Sequence, residues 1–392
     1  MDPFGAQQEG NSPYQRLRRL GELALNFLKI GATAFGGPPA HIAMMEEEFV
    51  RRRRWLDHQR FLDLIGAVNL LPGPNSTELA LYIGLMRAGW LGLIVAGVSF
   101  ILPSAVLVLA LAWAYVRFGA LPQVAGVLHG TKPVVIVVVV QALWTLGRTA
   151  IKSLALALLV ILDLALLVAG VHAVILLLGT GAVLVFARWW QDRGTPLPPA
   201  APSFVLFVTG SGTAAGLSVV ALFFYFMKVG VLLFGSGFLL LAFLRADLVV
   251  KTHWLSETQL LDAIAVSQAT PGPLSTVATF IGYILAGWTG AISATAGIFL
   301  PAFLLVAMSG WMIPRLRQSR MTGAFLDGVN AAALALMAAV TWQLGRASVI
   351  DLPTLGLAIA SAVLLFRFRV NSAWLMLGGA VLGLAGSLLR GH

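Results

Sequence analysis

The sequence predicts an all-α polytopic membrane protein whose two homologous halves form inverted repeats and carry broken or re-entrant helices. Three observations carry that expectation: an apolar composition, a long internal repeat, and paired proline-glycine interruptions inside apolar segments. Of 392 residues, 59% are hydrophobic and only 11% are charged, with a mean hydropathy of +0.89. A soluble domain carries about a quarter charged residues, so this chain has too little polar surface for water. It supplies on the order of ten stretches of about 20 apolar residues, the length that one helical crossing needs.

Composition also removes function classes. Cysteine is absent, which excludes disulfides, thiolate nucleophiles, iron-sulfur clusters and cysteine-ligated zinc. The six histidines, at 41, 58, 129, 172, 253 and 392, form no i,i+3 or i,i+4 pair, so neither a metal site nor a cofactor is expected. The net charge of +10 comes from arginines in short clusters between apolar runs. That distribution fits positive cytoplasmic loops rather than a nucleic-acid face. The polar segment 1–16 lacks a signal-peptide core, and Arg16, Arg18 and Arg19 precede the first apolar stretch, so a cytoplasmic N-terminus is expected.

Apolar stretches run at 20 to 36, 61 to 71, 77 to 86, 90 to 116, 133 to 147, 153 to 169 and 171 to 190. A break follows at 191 to 202, where Asp192, Arg193 and the segment TPLPPAAP could not lie exposed in hydrocarbon. Apolar stretches resume at 204 to 243, 259 to 269, 276 to 286, 288 to 313, 329 to 344, 354 to 366 and 373 to 389. The expected organisation is a first half at 17–190, a linker at 191–216 that holds part of an extra span if 204 to 222 cross, and a second half at 217–392.

The halves are copies of one another. Phe27, Lys29, Gly31, Phe35 and Gly36 recur 199 residues later as Phe226, Lys228, Gly230, Phe234 and Gly235. The same offset carries Trp55-Leu56 onto Trp254-Leu255, Asp63 onto Asp262, and Pro72-Gly73-Pro74-x-Ser76-Thr77 onto Pro271-Gly272-Pro273-x-Ser275-Thr276. At an offset of 198, Gly84, Gly89-Trp90, Gly92, Pro103, Gly130, Trp144, Gly147 and Arg148 match Gly282, Gly287-Trp288, Gly290, Pro301, Gly328, Trp342, Gly345 and Arg346. Shared apolarity would reproduce leucines and valines, not glycines, prolines and tryptophans in one register. Loop charge reverses between the copies. Arg51 to Arg54 and Arg60 precede the first PGP, whereas Arg315, Arg317 and Arg320 follow the long apolar segment of the second half. An inverted repeat requires that reversal.

The interruptions mark the candidate site. Apolar segments on either side of Pro72, Gly73 and Pro74 are each too short to cross, and broken helices at membrane depth lie next to protein or a polar cavity. Asn75, Ser76 and Thr77 are residue types that start helices, and a half-helix beginning there would aim unpaired N–H groups and a positive dipole end inward. Pro271, Gly272, Pro273, Ser275 and Thr276 repeat the arrangement. Phe35, Gly36 and Gly37, followed by two prolines, form a second break matched by Gly235 and Ser236. Lys29 and Lys228 lie within apolar helix, where an ammonium needs a partner or a cavity. Together these groups suit a small anion, with no catalytic residues and no metal.

Blander readings stand beside these. The PGP segments also fit surface turns, the lysines fit snorkelling to the interface, and Arg148 and Arg346 fit interfacial anchors. The Glu46 to Glu48 run beside four arginines fits a solvated surface. Glu78 and Asp163 are the acids expected at membrane depth; neither has a matching acid in the other half, which weighs against a proton relay. An intramembrane enzyme lacks its motifs here, since no Gly-x-Ser-x-Gly or His-Glu-x-x-His occurs. A channel stays open as an alternative.

At the FGG of 35 to 37 with its proline pair, Trp55-Leu56, the two PGP segments and the two Gly-Trp pairs, the chain resembles the long, two-half form of the chromate ion transporter family. The resemblance implies an inner-membrane carrier that exports chromate and confers chromate resistance, with sulfate, a tetrahedral dianion of similar shape, as an alternative substrate. The absence of a P-loop leaves ion gradients or exchange as the energy source. Membrane lipid and a second copy in a homodimer are the remaining expected partners.

Overall fold

In the computed structural model, residues 13–119, 121–191, 218–233, 237 and 239–389 are described, with the backbone alone for 310–318. The linker and the span considered over 204 to 222 fall outside them, except for Gln191 and residues 218 to 222, as do Gly235 and Ser236. The described residues contain helices and no strand. In the first half these are α1 (Pro13–Thr33), α2 (Pro38–Glu46), α3 (His58–Val68), α4 (Asn75–Phe118), α5 (Pro122–Ala150), α6 (Leu154–Val168) and α7 (Ala173–Gln191). The second half repeats them as α8 (Val219–Leu232), α9 (Leu239–Leu244), α10 (Glu257–Ala269), α11 (Val277–Gln318), α12 (Arg320–Ser348), α13 (Leu352–Arg367) and α14 (Ser372–Leu389). A π-helical turn extends α2 over Glu47–Arg52 and α9 over Arg245–Lys251.

Local detail repeats with the sequence. Asp57 caps α3 by accepting from the Arg60 N–H, and Ser256, its counterpart, caps α10 through a capping box with Gln259. The two long helices reverse at equivalent places. Ala88 and Gly89 (φ 64°) leave helical geometry in α4, as do Ala286 and Gly287 (φ 61°) in α11; a positive φ is one that glycine adopts without strain. Beyond each bend the chain folds back on itself. A methyl on Gly84 would meet the Gly92 carbonyl oxygen and Ala96, and one on Gly282 would meet the Gly290 oxygen and Ala294. Each of these elements is therefore a hairpin, a short arm of about half a membrane thickness followed by a full crossing.

Among the described residues, six helices are long and apolar enough to cross a membrane: α4, α5, α7, α11 with the turn before it, α12 and α14. Composition suggested more because α1, α2, α3 and the short arms of α4 and α11 spend apolar sequence on interrupted segments. Apolar side chains project from the long arms in a stripe, Trp90, Ile94, Val98, Leu102 and Val106 on α4 and Trp288, Ile292, Leu300, Leu304 and Met308 on α11, as a lipid-facing surface requires.

The halves are interwoven. In each half the first helix packs on the hairpin, α1 on α4 and α8 on α11, but α6 and α7 pack on α12 while α13 and α14 pack on α5. Glycines allow these crossings: Gly130 meets Gly379 and Gly383, and Gly328 meets Thr180 and Gly181. The central pair, α5 and α12, runs antiparallel. His129 near the start of α5 reaches Asp351 after the end of α12 at 3.4 Å, and Lys152 after α5 reaches Asp327 near the start of α12 at 2.7 Å.

Candidate functional site

The two breaks lie inside the protein, not at its surface. Residues 271 to 280 are buried throughout, as are Gly73, Pro74, Ser76 and Thr77. Each half supplies the partner that the other half's break needs. The Gly73 N–H donates to Leu233 O, which ends the first helix of the second half, at 2.6 Å; the Gly272 N–H donates to Ala34 O, the equivalent atom of the first half, at 3.0 Å. A PGP turn has one N–H among three residues, and that donor closes the seam between the copies.

The half-helices begin as expected, but proline rather than a hydroxyl residue occupies the cap. Pro74 and Pro273 precede the first turns, and neither offers a side-chain cap. The Thr77 and Glu78 amides turn back to Pro74 O at 2.8 and 3.1 Å, and the Thr276 amide turns back to Pro273 O at 3.0 Å. Asn75, Ser76, Thr77, Ser275 and Thr276 thus stand within the first turns.

The surroundings of the two breaks differ. At the second, hydroxyls are engaged, although the nearby Gln268 Nε2 is not: Thr276 Oγ1 lies 3.0 Å from Ser104 Oγ of the first half and 2.8 Å from Pro273 O, and the Ser267 hydroxyl donates to Leu274 O. At the first, Asn75 Oδ1, Thr77 Oγ1 and both carboxyl oxygens of Glu78 are buried without a partner. Buried polar atoms normally find partners; of these, the Thr77 hydroxyl can donate to a bound anion, as can Glu78 when protonated, whereas Asn75 Oδ1 only accepts. His41, fully buried, spans the neighbouring break, with Nε2 3.2 Å from Ala34 O and Nδ1 3.0 Å from Ser76 Oγ. Because Ala34 O can only accept, Nε2 carries the proton, and in the neutral ring Nδ1 accepts from the Ser76 hydroxyl.

The lysines stand apart from the turns. Lys228 pairs with Asp247 on the π-helical turn of α9 at 3.6 Å. Lys29 opens onto a surface cavity with Asn26, Glu48, Arg52 and Arg53, and Glu48 is the first-half counterpart of Asp247. Partial burial alone would raise the Glu48 carboxyl, but hydrogen bonds and charges from Arg53 and Arg52 outweigh it and hold the group below the usual carboxylate range. Phe35 is half-buried, and Gly36 and Gly37 carry positive φ of 107° and 74° ahead of α2.

Sequence reasoning missed His41, Ser104 and a cluster at the seam in which Asp262 is held by Lys132 at 2.8 Å and by the Tyr115 hydroxyl at 2.9 Å. His41 matches Leu240, Ser104 matches Ala302 and Lys132 matches Asn330, so a search for repeated residues passes over all three.

Comparison with known proteins agrees with this architecture. The Chromate transporter family matches residues 21–186 and again 220–384, one match to each half. The chromate transport protein of Cupriavidus metallidurans is 32% identical, with 100% of this chain and 98% of that protein covered. A probable chromate transport protein of Synechococcus elongatus is 32% identical over 86% of this chain and 87% of its own length. The chromate transport protein of Pseudomonas aeruginosa is 31% identical over 94% and 92%. No solved structure matches the chain. With two interwoven copies of one helical unit, each matched in turn, the chain belongs to the chromate transporter family of multi-pass membrane proteins.

Proposed function

We propose that this protein is a secondary active transporter that exports chromate across the inner membrane, lowers its cytoplasmic level and so confers resistance. The observation that carries this reading is the reciprocal seam, in which each PGP glycine is bonded to the helix end of the opposite copy. Ligand entry there must shift one half against the other, which is the motion that alternating access needs. In the proposed topology the N-terminus is cytoplasmic and the second half is inverted, in line with the antiparallel α5 and α12.

The oxyanion is bound between the breaks against Asn75, Ser76, Thr77, Ser275 and Thr276, its donors being the Thr77 hydroxyl, which has no partner yet, and those helix-start amides that do not already turn back to the prolines. Phe35, Gly36, Gly37, Pro72, Gly73, Pro74, Pro271, Gly272 and Pro273 shape the pocket; Gly235 and Ser236, outside the described residues, are assigned to the same site from the sequence repeat alone. Lys29 collects the anion in its vestibule, and Lys228 is its counterpart. Direction follows from charge: carrying a dianion out of a negative interior releases about 4.6 kcal/mol per 100 mV, at about 2.3 kcal/mol per charge. Sulfate is the second candidate substrate because the donors named read only shape and charge.

Chromate uptake into inside-out vesicles tests the proposal. Saturable uptake, competition by sulfate and lowered chromate accumulation in expressing cells are expected. Unchanged accumulation and no vesicle uptake overturn it, and flux without saturation identifies a channel instead.

A further inference from the structure

Glu78 is the fourth residue of the half-helix that starts at Asn75, and it is fully buried with no partner for either carboxyl oxygen. Long helical side chains lean toward their own N-terminus. This one lies over the PGP turn, where a methyl added to Gly73 would collide with Glu78 Oε1. An acid near a helix start ordinarily takes a backbone N–H from the residue before the helix. Here that residue is Pro74, which has none, and the Gly73 N–H already serves Leu233 O.

The elements packed around α4 bring few charges to the turn. From α1, Lys29 opens onto the vestibule, and Glu22 meets Arg87 of α4 itself at 3.7 Å. On α3, Asp63 lies on an exposed face. Asp262 on α10 is taken by Lys132 and Tyr115. From α2, His41 reaches Ser76, two residues from Glu78. The short arm and described side chains of α11 present no acid or base other than Tyr283, and Tyr82 lies one turn along α4.

The geometry points to Glu78 as a proton site linked to the oxyanion: neutral, it leaves the helix start free for a dianion, and ionised, it holds that place itself and shuts the dianion out. This adds a proton linkage to the substrate site of the transport reading above and rests on it; the driving force for export stays with the membrane potential. Two like charges at one desolvated helix end repel strongly, and linkage is reciprocal, so a bound dianion favours the protonated acid by the same factor. The equivalent position in the second half is Val277, which limits the linkage to one proton, at the first break.

Chromate uptake by vesicles at a series of pH values from about 8 to about 10, above the range where carboxylates usually titrate, reads the linkage. For the unaltered protein the half-saturating chromate concentration should rise as pH rises, approaching tenfold per pH unit once the acid ionises. Glu78→Gln should flatten that profile while uptake persists. Calorimetry of chromate binding in two buffers of different ionisation heat should count proton uptake by the unaltered protein and none by the variant. A flat profile without proton uptake in the unaltered protein overturns the inference, as does an unchanged slope in Glu78→Gln. Chromate movement by neither protein overturns the transport reading itself.

Discussion

Gly272 shows how closely one residue is held at the seam. Its φ of 97° disfavours any side chain, and an added methyl would stand 2.7 Å from Ser104 Cβ and 3.1 Å from Gly31 O. Gly272→Ala should therefore cost about 1 to 3 kcal/mol from strain and overpacking, lower the melting temperature of the purified protein and abolish chromate uptake. Nearer the surface, Asp351 caps α13, and the backbone and side-chain hydrogen bonds of Thr354 hold its carboxyl below the ordinary value. A depressed carboxyl contributes stability above its unfolded pKa and loses it as pH falls through the folded one. Asp351→Ala should thus lower stability by about 1 kcal/mol at neutral pH, with the difference from the unaltered protein vanishing in acid, as thermal melts against pH would record. The prolines and glycines of the turns were legible in the sequence because they repeat. His41 and Lys132 were not, because an unmatched polar residue in apolar sequence gives no sign of what it faces.

Among the elements, the α4 and α11 hairpins each reverse at one non-helical Ala-Gly pair. The sequence displays the Gly-Trp pairs and the glycines at 84 and 92, yet the reversal itself is hidden. No proline marks it, and apart from Arg87, which pairs with Glu22, mostly apolar residues continue through the bends. Since a Gly92 side chain would fall 2.1 Å from the Gly84 oxygen, Gly92→Leu should pry the arms apart. A cysteine pair at Leu85 and Leu91, bridged by a spin-label distance measurement in the Gly92→Leu background, should report a longer separation than in the parent, together with loss of chromate transport. An unchanged distance would mean that the arms are held by something other than this contact.

Across the whole molecule, the exchange of α6 and α7 for α13 and α14 makes each half the scaffold of the other. That exchange could not be read from sequence, because helices apolar on every side do not disclose which neighbour they meet. The seam is also pinned by a buried ion pair. Lys132→Met would leave the Asp262 carboxylate, 3% exposed, with only Tyr115, and should cost about 3 to 5 kcal/mol in denaturation of the purified protein, with Asp262→Asn in the same chain recovering most of the loss. Separate expression of residues 1–191 and 218–392 should give little folded protein from either piece alone and a functional complex from both together, checked by co-purification and chromate uptake.

A machine with perfect twofold symmetry would run identically from either face of the bilayer. Here the first break holds an acid, a histidine and unpartnered oxygens, while hydroxyls at the second are bonded, so the two breaks are chemically unlike. On the proposed export reading, a preferred direction would originate in this divergence of the two copies at a handful of positions.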